Sequence, residues 1–585
     1  MKTLFRYIGK KDALYLIFTA LFIILSTFFE TSIPESMKNV TAALQSENAV
    51  FSDVMTQGVK MILLAVFAAL ISVGSSYCIV RFCSNFLKKI REEVFHNALR
   101  FSNTEMGEFT TSGLIGRCTM DITQIQEFLS GGIVLMIKAP LTAAIVIGKV
   151  AGVHIYWTII CIVSTVLIFT VFSVVIIRIM PKVGEIQKMN DSITGVSREH
   201  LNGIRVIHAY NGYEHQHKRI LDRCDRLLDL ELFFNRNYSV THPASTAILN
   251  FLSVAVYVSG AFIISSADPG QRIGYFSDMV VFLSYGTQLV ASFVMLIMAA
   301  AALPRVLISM NRVAEVIDRV PEISDGKGAT PDNAKKGVIE FKDVSFRYPG
   351  SSSDAVSHIS FKAEPGETVA VIGATGSGKT SILNLVPRMY DVTEGQVLVD
   401  GVDVRDYTLS ELRNRLGYVP QKGFLFAGTI AGNIGKGDNG RFEASLSHIK
   451  EAARVGQADE FIRKKDGGYE SEVKRGGGNF SGGQRQRLNI SRAICRDPEI
   501  FIFDDSFSAL DFKTDRVLRE SLRKTAADAT LLIVAQRVST IIDADKILVL
   551  DKGRLVGMGT HEELLKNCDI YHEIAVSQMP EVQNG

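Results

Sequence analysis

The densest chemical signal in the chain is the run Gly373-Ala374-Thr375-Gly376-Ser377-Gly378-Lys379-Thr380. A β-branched stretch at 368–372 (TVAVI) leads into it, and an apolar helical stretch (SILNLV) follows it. Strand, glycine-rich turn and helix in that order make a phosphate cradle. The glycines let backbone N–H groups wrap the phosphates, Lys379 neutralises the β- and γ-phosphates, and Thr380 offers a hydroxyl to Mg²⁺. Downstream, 500–504 (IFIFD) is an apolar strand that ends in a carboxylate. Such a strand places Asp504 beside the cradle, where it can hold the metal through water.

These residues need a soluble α/β domain to position them, and the rest of the chain is of another kind. Apolar runs of roughly 20 residues fall at about 13–33, 58–80, 131–153, 156–178, 246–266 and 275–303. At about 1.5 Å per residue each is long enough to cross a hydrocarbon core of about 30 Å. The first run follows Lys2, Arg6, Lys10 and Lys11 as a signal peptide would, but no small-residue cleavage site follows it, so it reads as a retained span. The stretches after spans two and four, at about 85–130 and 181–245, are rich in Lys and Arg and have helical periodicity. Basic loops stay on the cytosolic side, which puts both termini there. Glu30, Arg81, Lys138, Lys149 and Asp278 sit in or near the spans. Each is a candidate for a wet cavity, with Arg81 and Lys138 near enough to the inner side to snorkel. Composition changes after Pro304, and a Pro/Gly/Asp/Lys-rich stretch at 321–337 reads as a linker. The expected organisation is an all-α six-helix membrane domain at 1–310 with long cytosolic helical extensions, a linker at 311–336 and an α/β nucleotide-binding domain at 337–585.

Composition excludes several classes. Of 585 residues 47% are hydrophobic, and the mean hydropathy of +0.19 is too high for a soluble enzyme. Lys and Arg number 63 against 61 Asp and Glu, a balance that gives no footprint for nucleic acid. The seven cysteines are scattered with no CxxC pair, which fits neither a disulfide framework nor a zinc site.

Between the cradle and Asp504 lies Asn479-Phe480-Ser481-Gly482-Gly483-Gln484-Arg485-Gln486-Arg487. Taken with the cradle, the chain resembles the ABC transporters, with the motif order of an exporter-type half-transporter; Phe480 stands where Leu is more usual. The resemblance implies that Ser481, Gly482, Gly483 and Gln484 bind the γ-phosphate held by an opposite subunit's P-loop. It gives Tyr348 as the adenine-stacking aromatic, Gln421 as the glutamine that touches the metal and faces the membrane domain, and Ser508-Ala509-Leu510-Asp511 as the D-loop. Glu472 falls in the loop that meets the coupling helices, and 112–128 and 205–216 look like the coupling-helix regions themselves. ATP and Mg²⁺ are the implied cofactors, and the cell membrane is the implied location.

Two positions depart from the family pattern. The base after the Walker B aspartate is normally Glu and here is Asp505; the switch residue is normally His and here is Gln536. Asp is one methylene short of reaching the attacking water, and Gln carries no proton. A misplaced base costs roughly 10²–10⁴ in rate. The expectation is a site that binds Mg-ATP well and hydrolyses it poorly, in one subunit of a heterodimeric multidrug exporter whose partner supplies the Glu and the His. A homodimer using Asp505 as a slow base is the competing reading, and a regulatory ATP-binding subunit is a third. The apolar and aromatic spans, among them Phe282, Tyr285, Gln288, Phe293, Met295 and Met298 in the sixth, favour small hydrophobic or amphipathic substrates. Lipid, peptide, haem or thiol export stays open.

Overall fold

The computed structural model describes residues 2–44, 51–151, 155–328, 336–436, 439 and 444–579. It divides into two compact units, one of Met1–Arg100 with Phe109–Val320 and one of Phe101–Glu108 with Pro321–Gly585.

The first unit is helical. Six helices are long and apolar enough to cross a membrane, covering Lys10–Thr41, Phe51–Arg100, Thr111–Val150, Ile155–Asn202, Tyr213–Ser266 and Arg272–Asp318. They exceed the apolar runs because charged, amphipathic stretches continue the same helices, as the periodicity of the long basic loops predicts. The sixth helix runs to Asp318, so the linker does not begin at 311. Most of the expected linker beyond 328 lies outside the described residues.

Prolines at 34, 140, 181 and 304 sit inside these helices. Inside a bundle the carbonyls they free find other donors, so the helices persist. The third helix contains two π-helical turns, at Arg117–Asp121 and Phe128–Gly132. A core around Trp157, Val256, Phe282, Tyr285 and Leu289 joins the third to sixth helices. Phe282, Tyr285 and Phe293 of the sixth helix are therefore packing residues, as expected of most of the apolar residues there.

Three pairs of ionisable groups in the spans join different helices. Lys138 Nζ lies 2.8 Å from Glu30 Oε1, Lys149 Nζ lies 3.0 Å from Glu35 Oε2, and Lys38 pairs with Asp278. Lys138 thus does not snorkel: a carboxylate on the first helix meets its ammonium within the bundle.

The second unit is α/β. Its central sheet has six strands in the order Arg554–Gly559, Lys546–Asp551, Thr368–Gly373, Thr530–Val534, Ile500–Asp504, Leu416–Val419. All neighbours are parallel except the first pair. Strands such as 500–504 and 530–534 are buried throughout, as continuous Ile, Leu, Val and Phe runs demand when both faces are covered. A second, antiparallel sheet is built on Ile339–Phe346, paired with Val356–Ala363 and Glu394–Val399.

The short helix Asn103–Phe109 begins in the segment that belongs with this unit. The fully buried Glu105 fixes it by accepting hydrogen bonds from the backbone N–H groups of Ser102 (2.7 Å) and Glu322 (2.8 Å). The sequence reading put the first coupling segment at 112–128. Those residues group with the helical unit, and it is 101–108 that groups with the nucleotide-binding unit.

Candidate nucleotide site

The site stands at the carboxyl ends of the parallel strands, where open α/β sheets place their ligands. Strand Thr368–Gly373 ends in the glycine-rich turn, and Gly378 caps the helix Lys379–Leu385. Gly378 has φ +95°, and a Cβ there would lie 2.5 Å from the Ala355 carbonyl oxygen, so only glycine fits. Lys379 Nζ donates to the carbonyls of Gly373 (2.9 Å) and Ala374 (2.7 Å), which centres the ammonium in the loop. Burial pulls its pKa below the usual lysine value, opposed by the charges of Asp505 and Asp504.

Sheet register brings the metal candidates together. Strand 500–504 pairs in parallel with 530–534, which pairs with 368–373. Thr380 Oγ1 donates to Asp504 Oδ1 at 3.0 Å. A hydroxyl beside a carboxylate is a hard-oxygen set of the kind Mg²⁺ prefers. Burial raises the pKa of Asp504, and the Asp505 charge adds to it, against the Thr380 hydrogen bond and Lys379.

The water side of the site is built differently. Asp505 follows at φ +44°, a left-handed backbone that Asp adopts more readily than most residues. Gln536 Nε2 donates to Asp505 Oδ2 at 2.8 Å, and Gln421 Nε2 approaches the same oxygen at 3.4 Å. The two departures from the family pattern are therefore bonded to each other. Burial raises the Asp505 pKa as well, against hydrogen bonds that include the Gln421 amide.

Tyr348 joins the cradle through Ser381, its hydroxyl 2.9 Å from Ser381 Oγ. Its ring stands edge-on to Phe346 and Tyr390, with centroids 4.8 and 5.3 Å away. The signature residues form a separate corner. Ser481 caps the helix Gly482–Cys495 in a capping box with Gln484, and Asp511 caps Phe512–Thr525. Gly483 lies against the Ala509 carbonyl, a Cβ there falling 3.1 Å away, so the signature and the D-loop are neighbours. Among the described residues no hydrogen bond links Ser481–Gln484 to the phosphate loop. Phe480 is buried, its ring against Phe461 and under Lys465 Nζ, so the bulkier residue is absorbed by the core.

Gln578, which the sequence did not suggest, also reaches the site. Its Oε1 accepts from Val538 N and its Nε2 donates to the Gln536 carbonyl, both at 2.8 Å. The terminal helix Asp569–Gln578 thereby brackets the switch loop. A lone polar residue at a helix end gives no sequence signal for this.

Two family models match the chain, the ABC transporter model over 356–508 and the ABC transporter transmembrane region over 16–293. A Mycobacterium tuberculosis protein described as an uncharacterized ABC transporter ATP-binding protein is 34% identical, with 93% of each chain covered. The chain belongs to the ABC transporters. A Bacillus subtilis ABC protein, YgaD, whose name provisionally gives it multidrug export, is 32% identical over 82% of each chain. In fold, this ABC transporter is similar to a bacterial Atm1-family ABC exporter solved with ATP bound, at TM-score 0.82 and 24% identity, covering 97% of this chain and 99% of that one. The chain is accordingly a multi-pass membrane protein with an exporter fold and an ATP-binding, ATP-hydrolysing ABC domain.

Proposed function

We propose that this half-transporter exports hydrophobic or amphipathic compounds as one subunit of a heterodimer, and that its own Walker site binds Mg-ATP but turns over slowly. The 2.8 Å hydrogen bond from Gln536 to Asp505 carries the reading. An amide that donates to the base-position carboxylate occupies the oxygen that would take a proton from water, and the Asp side chain is already short. Gln536 accepts no proton in return.

Lys379 neutralises the β- and γ-phosphates, and Tyr348 stacks on adenine. Thr380, Asp504 and Gln421 are the residues that hold Mg²⁺, which when bound offsets phosphate charge. Ser481, Gly482, Gly483 and Gln484, with Asp511 beside them, complete the nucleotide site on the partner, where a Glu and a His carry out hydrolysis. ATP binding closes the two nucleotide-binding domains, and hydrolysis at the partner's Walker motifs reopens them. Both termini and the nucleotide-binding domain face the cytosol, and the host bilayer is the cell membrane. The name given to the Bacillus subtilis relative supports the multidrug class.

The first test is the mass of the complex extracted gently from its native membrane. One copy of this chain with a different ABC subunit is the expected result. A complex of two copies of this chain, at twice 64.4 kDa and with no second sequence in it, overturns the heterodimer.

A further inference from the structure

The spans enclose a cavity of about 440 Å³, within the usual range for small-ligand sites. Glu30, Lys138, Thr142, Gln288, Ser292 and Met295 line it. Glu30, Lys138 and Gln288 lie 14, 12 and 16 residues from the helix ends at Leu44, Val150 and Arg272. At 1.5 Å per residue that is about 18–24 Å, so the three share one depth in the bundle.

The three cross-helix ion pairs are not equivalent. Lys149 also donates to the Thr31 carbonyl and the Ser32 hydroxyl, and neither it nor Glu35 lines the cavity. Lys138 makes one side-chain bond, to Glu30, and both residues face the cavity with about a third of each side chain exposed. Gln288 Nε2 approaches the Glu30 carbonyl at 3.5 Å, while its Oε1 is buried without a hydrogen-bond partner. A buried acceptor left without a partner is costly, so the site has a standing demand for a donor.

An ion pair on a cavity wall offers both signs within one bond length of each other. A ligand of single charge would pair with one residue and strand the other in a low-dielectric setting, which is strongly unfavourable. Only a ligand carrying both signs replaces the pair at both ends. A second cavity, also of about 440 Å³, shares Leu135 with the first and is walled by Phe128, Met298 and Ala302. Gln124, Glu127 and Arg305 also line it, so only the Phe128–Leu135 side suits an apolar body.

Resting on the exporter reading above, we propose that this cavity binds the zwitterionic head of an amphiphile. Glu30 takes the ammonium, Gln288 Oε1 accepts one of its N–H groups, Lys138 takes the phosphate or carboxylate, and the Phe128–Leu135 wall takes the apolar body.

The test is ligand binding to the intact complex in nanodiscs without nucleotide. The probes are palmitoyl lysophosphatidylethanolamine, the matched anion lysophosphatidylglycerol, the cation hexadecylamine and a hydrophobic dipeptide. The zwitterionic probe is expected to bind at least tenfold more tightly than either singly charged one. Lys138→Gln and Glu30→Gln each lower that affinity at least tenfold and leave ATP binding unchanged. The exchange Glu30→Lys with Lys138→Glu keeps a pair for folding and retains the zwitterion preference. Binding of the lysolipid alone identifies a lipid head as the source, and binding of the dipeptide alone identifies a free zwitterion. Equal affinity for the three alkyl probes, no response to either single substitution, or loss of preference in the exchanged pair overturns the site. Because no ATP is present, an error about hydrolysis or the partner does not enter. A bound zwitterion without vectorial transport would instead sink the exporter reading and keep the site.

Discussion

The phosphate side and the water side of the nucleotide site are made from adjacent residues and behave oppositely. On the phosphate side, Lys379, Thr380 and Asp504 converge on one another and on the loop carbonyls. One residue farther along, Asp505 is turned by a left-handed backbone and held by the Gln536 amide. On the proposed reading, holding a nucleotide and cleaving it are separable properties of this sheet edge, divided by a methylene and an imidazole.

The largest expected effect comes from erasing that difference. Asp505→Glu with Gln536→His should raise single-site ATP turnover by about 10² or more, measured with the partner's own base disabled. No gain would mean that something other than these two residues silences the site. The next effect attacks the opposite side. Lys379→Ala should weaken ATP binding about 10–100-fold, as the loss of charge-assisted bonds worth about 1.5–3 kcal/mol implies. Asp505→Asn should leave affinity within about twofold, read by equilibrium binding of a fluorescent ATP analogue. Equal losses would join the two sides again.

A smaller effect follows from burial. The raised Asp504 pKa means its metal-binding charge is lost on acidification at a higher pH than an ordinary aspartate's. The Mg²⁺-dependent part of ATP affinity should therefore fall earlier on acidification than an ordinary aspartate would allow, while Mg²⁺-free affinity changes less. The smallest effect concerns the loop that carries Gln536. Gln578→Ala should speed hydrogen exchange at the Val538 amide by about five- to tenfold, since it removes a bond worth about 1 kcal/mol. Gln578→Glu, which still accepts but no longer donates, should protect that amide better than Ala does.

How much the sequence reveals depends on how far apart the interacting residues lie. The cradle is eight contiguous residues, and its function is carried by backbone N–H groups, so spelling and structure nearly coincide. Asp504 needed one inference, that its strand lies in the same sheet, and Thr380 confirms the neighbourhood. Hydropathy marked six helices but not which faces meet, because a lipid-facing Leu and a core Leu read alike. Phe282, Tyr285 and Phe293 could not be told from lipid-facing or cavity residues for that reason, and they are core. Lys138 looked free to snorkel because its carboxylate partner stands 108 residues upstream. Nothing in the spelling of 101–108 shows that Glu105 ties it to Glu322.

That distance between partners has a bearing on how the chain is made. Glu30 enters the membrane with the first helix, yet Lys138 is synthesised 108 residues later and Lys149, the partner of Glu35, 114 residues after its own acid. At about 5–20 residues per second, each carboxylate waits on the order of 5–20 s for its cation. During biogenesis the first helix therefore takes its final seat only when the third helix arrives with the cations.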